Sequence, residues 1–167
     1  VKTEFIGVGM PEEMGRVMER ASRSDIKSEA ELRRAMALYY DGDVDTGVAL
    51  LREIVARHAR TDVAARAQYF LGEALFSRKE YESAILEFNR VLSDYFEHSL
   101  AARAQYRVGR CLDALGRGAE ATGTYQAVVA GYPISPESPA AAYLAGVGLL
   151  AAKRPLVAVP YFQLVLD

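Results

Sequence analysis

The apolar positions of this chain fall on helical faces, and the faces return at a fixed step. Tyr81, Ala84, Ile85, Phe88, Val91, Leu92 and Tyr95 follow the i, i+3, i+4, i+7 spacing of an amphipathic helix. Thirty-seven residues earlier the same face reads Val44, Gly47, Val48, Leu51, Ile54 and Val55, and 37 later it reads Ala121, Tyr125, Val128, Val129 and Tyr132. Ala158, Phe162, Val165 and Leu166 begin a further copy. Each face is preceded by another helical stretch and a short polar turn, at Asp41-Gly42-Asp43, Arg78-Lys79, Gly116-Arg117 and Lys153-Arg154.

Five columns share the register. They are Ala35, Gly72, Gly109 and Gly146; Leu38, Leu75, Leu112 and Leu149; Gly47, Ala84, Ala121 and Ala158; Leu51, Phe88, Tyr125 and Phe162; and Tyr69, Tyr106 and Tyr143. The hexapeptide Ala64-Ala65-Arg66-Ala67-Gln68-Tyr69 recurs as Ala101-Ala102-Arg103-Ala104-Gln105-Tyr106. A constant period of this length is the mark of a solenoid, in which each unit leaves an apolar face that the next unit covers. The small columns let two helices cross closely, and the aromatic or leucine one turn on fills the groove beside the crossing. Glycine inside a helix costs roughly 1 kcal/mol against alanine, so its return at one spot points to packing.

The predicted fold is all-α, a right-handed solenoid of antiparallel helix pairs with about nine helices. Residues 1–27 are expected to hold a lone helix in the register of a half repeat. Residues 28–61, 62–98, 99–137 and 138–167 are expected to be four helix pairs of one domain. Met10, Met14, Val17, Met18 and Ala21 form the stripe of the lone helix, with Pro11 in its first turn. This stripe reads either as an adaptable docking face or as core packed on the next pair. Ser22–Lys27 reads as a polar link, Ser28 with Glu31 as a capping box, and Ser99 and Ser138 as further caps. Helix 140–152 is almost without charge, and its apolar residues cannot all face one neighbour. That surface is expected to be covered by more chain, by a second copy or by a partner.

This pattern resembles the tetratricopeptide repeat. Leu71-Gly72, Ala84 and Phe88 match the family's positions in one unit, Val108-Gly109, Ala121, Tyr125, Val128 and Pro133 in the next, and Gly146, Ala158 and Phe162 in the last; Ala35, Gly47 and Leu51 give a weaker first unit. The step is three longer than the family's usual 34. The segment Ala67-Gln68-Tyr69-Phe70-Leu71-Gly72-Glu73-Ala74 is similar to one in the YbgF/CpoB proteins of the Tol-Pal system, with Phe70 in place of a tryptophan. The outer-membrane assembly lipoprotein BamD shares the phrasing. The resemblance implies a protein-binding scaffold that is periplasmic or outer-membrane-associated; the residues themselves equally allow the cytoplasm.

In that family the first helix of each pair lines a concave groove. The residues this places there are Leu32, Met36 and Tyr39; Arg66, Tyr69, Glu73 and Phe76; Arg103, Tyr106, Arg110 and Asp113; and Tyr143, Val147 and Leu150. Tyrosines with interleaved arginines suit an interface, whereas a tyrosine column at the repeat period also suits packing. Glu73, Arg110 and Val147 share one column, so that position varies between units, and reversing Arg103 and Arg110 is expected to weaken a partner without unfolding the array.

Composition removes other functions. A formal net charge of −2 and no basic run argue against nucleic acid, and no apolar stretch approaches the roughly 18 residues of a membrane span. His58 and His98 have no second His or Cys at i+3 or i+4, so no metal or other cofactor is expected. The single cysteine, Cys111, has no base near it and reads as a small packing residue. No catalytic residue is expected. The leading reading is a non-catalytic scaffold that holds a partner peptide or helix. The alternatives are a structural segment of a longer array and an accessory domain of an envelope enzyme.

Overall fold

The computed structural model describes residues 12–166, with residues 12–15, 17 and 18 described by their backbone alone. The described residues form eight α-helices: α1 (Glu12–Asp41), α2 (Val44–Arg57), α3 (Asp62–Ser77), α4 (Tyr81–Asp94), α5 (Ala101–Ala114), α6 (Gly118–Gly131), α7 (Ser138–Ala151) and α8 (Pro155–Leu166). Each helix packs on the next in chain order, and α1 also touches α3. The stack is a solenoid of four helix pairs, as the period predicts.

The turns inside the pairs are built alike. Gly42, Lys79, Gly116 and Lys153, each 37 residues from the next, all adopt positive φ, at 98°, 63°, 75° and 58°. The left-handed residue ends the first helix by turning two amides back onto its last carbonyls. Lys79 N–H donates to Phe76 O and Glu80 N–H to Leu75 O, both at 2.9 Å. The same two bonds recur from Gly116 and Arg117, and from Lys153 and Arg154.

The glycine column has a steric reason in three units. A Cβ on Gly72 would come within 2.6 Å of the Phe88 ring, one on Gly109 within 2.5 Å of Tyr125, and one on Gly146 within 2.7 Å of Phe162. In the first unit the same two columns hold the larger Ala35 and the smaller Leu51, a combination complementary in size. Phe88, Tyr125, Val91 and Val128 are essentially inaccessible to solvent. Cys111 is buried in this core, and burial pushes its thiol up to about 12, so it is a packing residue with no thiolate character at neutral pH. Gln68 and Glu87 are also buried and hydrogen-bond each other across α3 and α4, with Arg90 Nη1 donating to the same carboxylate at 2.8 Å.

Three local expectations are corrected. The lone helix and the link over Ser22–Lys27 do not separate from the first pair. They run into it as one 30-residue helix, which brings the count to eight. The link contains neither Gly nor Pro, so nothing covalent stops the ladder, and Arg23 pairs with Glu19 one turn back at 2.6 Å. Packing of the stripe at Met14, Val17 and Met18 lies outside the described side chains, Met10 lies outside the described residues, and Ala21 is exposed. Ser28 is consequently mid-helix, where its hydroxyl donates to Asp25 O at 2.9 Å, and Glu31 is taken by Arg57 and His58 instead of a cap. Neither Ser99 nor Ser138 caps a helix; Leu100 N–H donates to His98 Nδ1 at 3.1 Å, and Pro139 occupies the first turn of α7. The caps that do form include Thr61, whose Oγ1 accepts from Ala64 N–H at 3.2 Å, and Asp43, whose Oδ1 accepts from Thr46 N–H at 3.3 Å.

The candidate interaction face

The face made by α1, α3 and α5 is assembled from residues one repeat apart. Because α-helical side chains at i and i+4 share a face, Met36 with Tyr40, Tyr69 with Glu73, and Arg103 with Arg107 each stand one turn apart. Met36, Tyr39, Tyr40, Tyr69, Phe70, Glu73, Ser77 and Arg103 line one cavity of about 380 Å³. A second hollow of about 260 Å³ shares Tyr69, Phe70 and Arg103 with it and adds Arg66 and His98. The structure therefore brings together Met36, Tyr39, Arg66, Tyr69, Glu73 and Arg103 of the residues named from sequence.

The rings set the floor. Tyr69 is buried and meets Phe70 with centroids 6.0 Å apart and Phe88 at 5.5 Å. Tyr39 and Tyr40 meet edge to face at 5.3 Å, and the Tyr39 hydroxyl donates to Ser77 Oγ at 2.7 Å, tying α1 to the end of α3. Tyr40 stays 72% exposed. Its ring lines the cavity while staying open to solvent.

The charges are spoken for within the protein. Arg66 donates to Glu29 at 2.7 Å, and Glu29 is held below the usual carboxylate range by Arg66 and then by Arg33. Arg103 donates to Glu137 at 2.8 Å. Arg107 grips Glu73 through two N–H groups, a bidentate geometry, while its guanidinium lies 4.6 Å over the Phe76 ring. Each arginine is held all the more firmly in its charged form by these carboxylates. Burial, with Glu73 alongside, pushes the Tyr69 phenol well above its ordinary value. The surroundings of the cavity are thus charged but locally neutralised, and its floor is aromatic.

The remaining candidates lie outside this cavity. Phe76 packs on Tyr81 at 5.3 Å. Arg110 is exposed and donates to the Tyr106 hydroxyl at 3.4 Å; Tyr106 packs on Tyr125 at 5.8 Å. Asp113 accepts from the Tyr125 hydroxyl at 2.6 Å and borders a cleft of about 610 Å³ between α6 and α7. Tyr143 is 53% exposed, its ring 6.1 Å from Phe162. Leu32 is fully buried and belongs to the core. Sequence reasoning missed Arg107, Tyr40, Phe70 and Ser77. Arg107 was legible in principle, since it lies 34 residues after Glu73 with opposite charge; Tyr40 was masked by its neighbour Tyr39.

Reversal of Arg103 also reads differently on these contacts. A glutamate there would face Glu137 and add repulsion to any loss of binding, so a neutral substitution is the cleaner probe. Among the described residues, no group of three or more His, Cys, Asp or Glu could hold a metal ion, and no helix is long and apolar enough to cross a membrane.

The sequence pattern of the tetratricopeptide repeat matches residues 32–95 and 88–136. No curated protein matches in sequence. Among solved structures, a crystal structure of MamA is 23% identical, covers 90% of this chain and 84% of its own, and superposes with a TM-score of 0.67. A MamA RS-1 double mutant is 25% identical over 84% of this chain and 74% of its own, with a TM-score of 0.65. A Podospora anserina putative kinesin light chain with nearly identical repeats is 20% identical over 83% and 73%, with a TM-score of 0.62.

Proposed function

Because this chain belongs to the tetratricopeptide repeat family, whose helix pairs bind protein partners, we propose that it is a non-catalytic scaffold which seats a segment of another protein in the cavity between its first two helix pairs. One observation carries this reading: an aromatic cavity of about 380 Å³ opens on the α1–α3 face, with Tyr40 exposed at its mouth and its ionic groups already paired. Paired charges draw no strongly charged ligand. The cavity instead suits an apolar or aromatic side chain of a peptide or helix, with Ser77, Glu73 and Arg103 around it for hydrogen bonds to the segment's backbone.

Substitution tests the reading. Tyr40→Ala and Arg103→Gln should each weaken capture of the partner by about tenfold or more, the 1–2 kcal/mol typical of an interface anchor. Arg90→Gln, on α4 and outside the cavity, should leave capture unchanged. Equal capture by all three would remove the cavity from the account.

The segment Ala67–Ala74 supports placing the scaffold in a bacterial cell envelope, periplasmic or outer-membrane-associated, by its likeness to the YbgF/CpoB and BamD wording. Fractionation of the producing cells would test this, and recovery in the cytoplasm alone would contradict it. A second reading, an assembly element of a larger array, rests on α8. Val165 is 41% exposed, whereas its counterparts Ile54, Val91 and Val128 are at most 2% exposed. On that reading a further helical element covers the Val165 column.

A further inference from the structure

The link motif of α1 occurs twice in the chain, and the structure shows it in two conformations. Arg23-Ser24-Asp25-Ile26 stands 37 residues before Arg60-Thr61-Asp62-Val63. At the second copy the helix is broken. Arg60 has φ 64°, Thr61 caps α3 through Ala64 N–H, and α2 and α3 lie side by side. At the first copy the same residue types run through as continuous helix, and every residue from Glu19 to Lys27 is exposed, Ile26 at 69%.

The rest of α1 carries the face that a broken motif would cover. In the later pairs the first helix packs on the second helix of the preceding pair. Ala67, Ala104 and Ala141 are there wholly buried, as are Ala74 and Cys111. Their counterparts on α1, Ala30 and Ala37, are just as small and are exposed, and Leu38 is only half-buried where Leu75, Leu112 and Leu149 are buried. The segment in front of the motif holds the matching partner. Met14, Val17 and Met18 occupy the register of Leu51, Ile54 and Val55 on α2. Leu51 and Ile54 are buried core.

From this coincidence of motif, face and register we propose that α1 has a second state, in which it breaks at Arg23–Ile26 and residues 12–21 fold back on the Ala30–Ala37 face as a half repeat. Ser24 then caps the shortened helix as Thr61 caps α3. Apolar contact of Met14, Val17 and Met18 with the small Ala30–Ala37 face would stabilise the folded form, and its cost is the few helical hydrogen bonds lost at the break. The straight and folded forms are two packings of one segment, a switch in the exposed surface at this end of the array.

A distance measurement separates the states. Spin labels at Glu13→Cys and Tyr40→Cys, on a Cys111→Ser background, lie about 27 residues apart along a straight helix, ~40 Å at 1.5 Å per residue. Folding back brings them to within about two helix diameters, ~20 Å. The proposal expects a population at the short distance that Ala30→Glu with Ala37→Glu abolishes. A single long distance in the parent and the variant alike would overturn it. So would a short distance arising only when copies labelled at Glu13 are mixed with copies labelled at Tyr40, since that would place the segment on a second molecule.

Discussion

In the second helix pair Phe88 and Val91 are wholly buried and Tyr69 keeps 6% of its surface. In the last pair the same columns hold Phe162, which is half-buried, Val165 at 41% and Tyr143 at 53%. The residue types barely differ, and the contact inside each pair is the same: the ring of the second helix lies over a glycine of the first, at 2.6 Å and 2.7 Å from a Cβ built there. What differs is the neighbour. α4 is packed on by both α3 and α5, whereas α8, among the described helices, is packed on by α7. Burial in this array is therefore made between pairs as much as within them, and a column reports its neighbours as well as its own helix.

Truncating the ring in each pair should give the largest difference between them. Phe88→Ala should cost about 3–5 kcal/mol, the usual range for a buried phenylalanine. Phe162→Ala should cost about 1–2 kcal/mol, because its ring already meets water. Urea unfolding of both variants measures the gap, and equal losses would mean that the pair alone makes the core.

A smaller effect is expected under the rings. Gly72→Ala forces a methyl against a fixed Phe88, an overpacking of about 1–3 kcal/mol, partly offset by about 1 kcal/mol of helix propensity. Gly146→Ala meets a Phe162 with room to swing outward, so the propensity gain should cancel most or all of the clash. Thermal unfolding of the two variants should show a lower midpoint for the first and little change for the second.

The smallest expected effect is also the one that should not differ. Lys79 and Lys153 both hold the left-handed turn conformation, which disfavours a residue with a Cβ by roughly 1–2 kcal/mol. Replacing either by glycine, as at Gly42 and Gly116, should stabilise the chain by about 1 kcal/mol. The turn is local, so the gain should be alike in a covered and an uncovered pair. Unequal midpoints in chemical denaturation would show that the turn, too, senses its neighbours.

The period made the solenoid legible, because the same small and aromatic columns that close the helix crossing also mark the sequence. Burial of Phe88 against exposure of Tyr143 was not legible from the columns alone, since both lie in repeats of one pattern. Ser22–Lys27 misled for a related reason: the link motif is present, but a sequence stretch without Gly or Pro can also continue a helix. In the candidate site the rings of Tyr39 and Tyr69 were visible as helical positions. The pairing of Glu73 with Arg107 and of Arg103 with Glu137 was not, because it depends on how far one pair is displaced from the next. Those pairs leave the aromatic floor, rather than the arginines, as the feature that would select a segment of the partner.

Seating of a partner in the α1–α3 cavity can be read with a photo-crosslinking side chain. Placed at Tyr40, at the mouth of the cavity, it should give one discrete crosslinked protein in the producing cells. The yield should fall when Phe70→Ala enlarges the floor, and the same side chain at Arg90 should give none. Crosslinking from Arg90 with none from Tyr40 would contradict that seating.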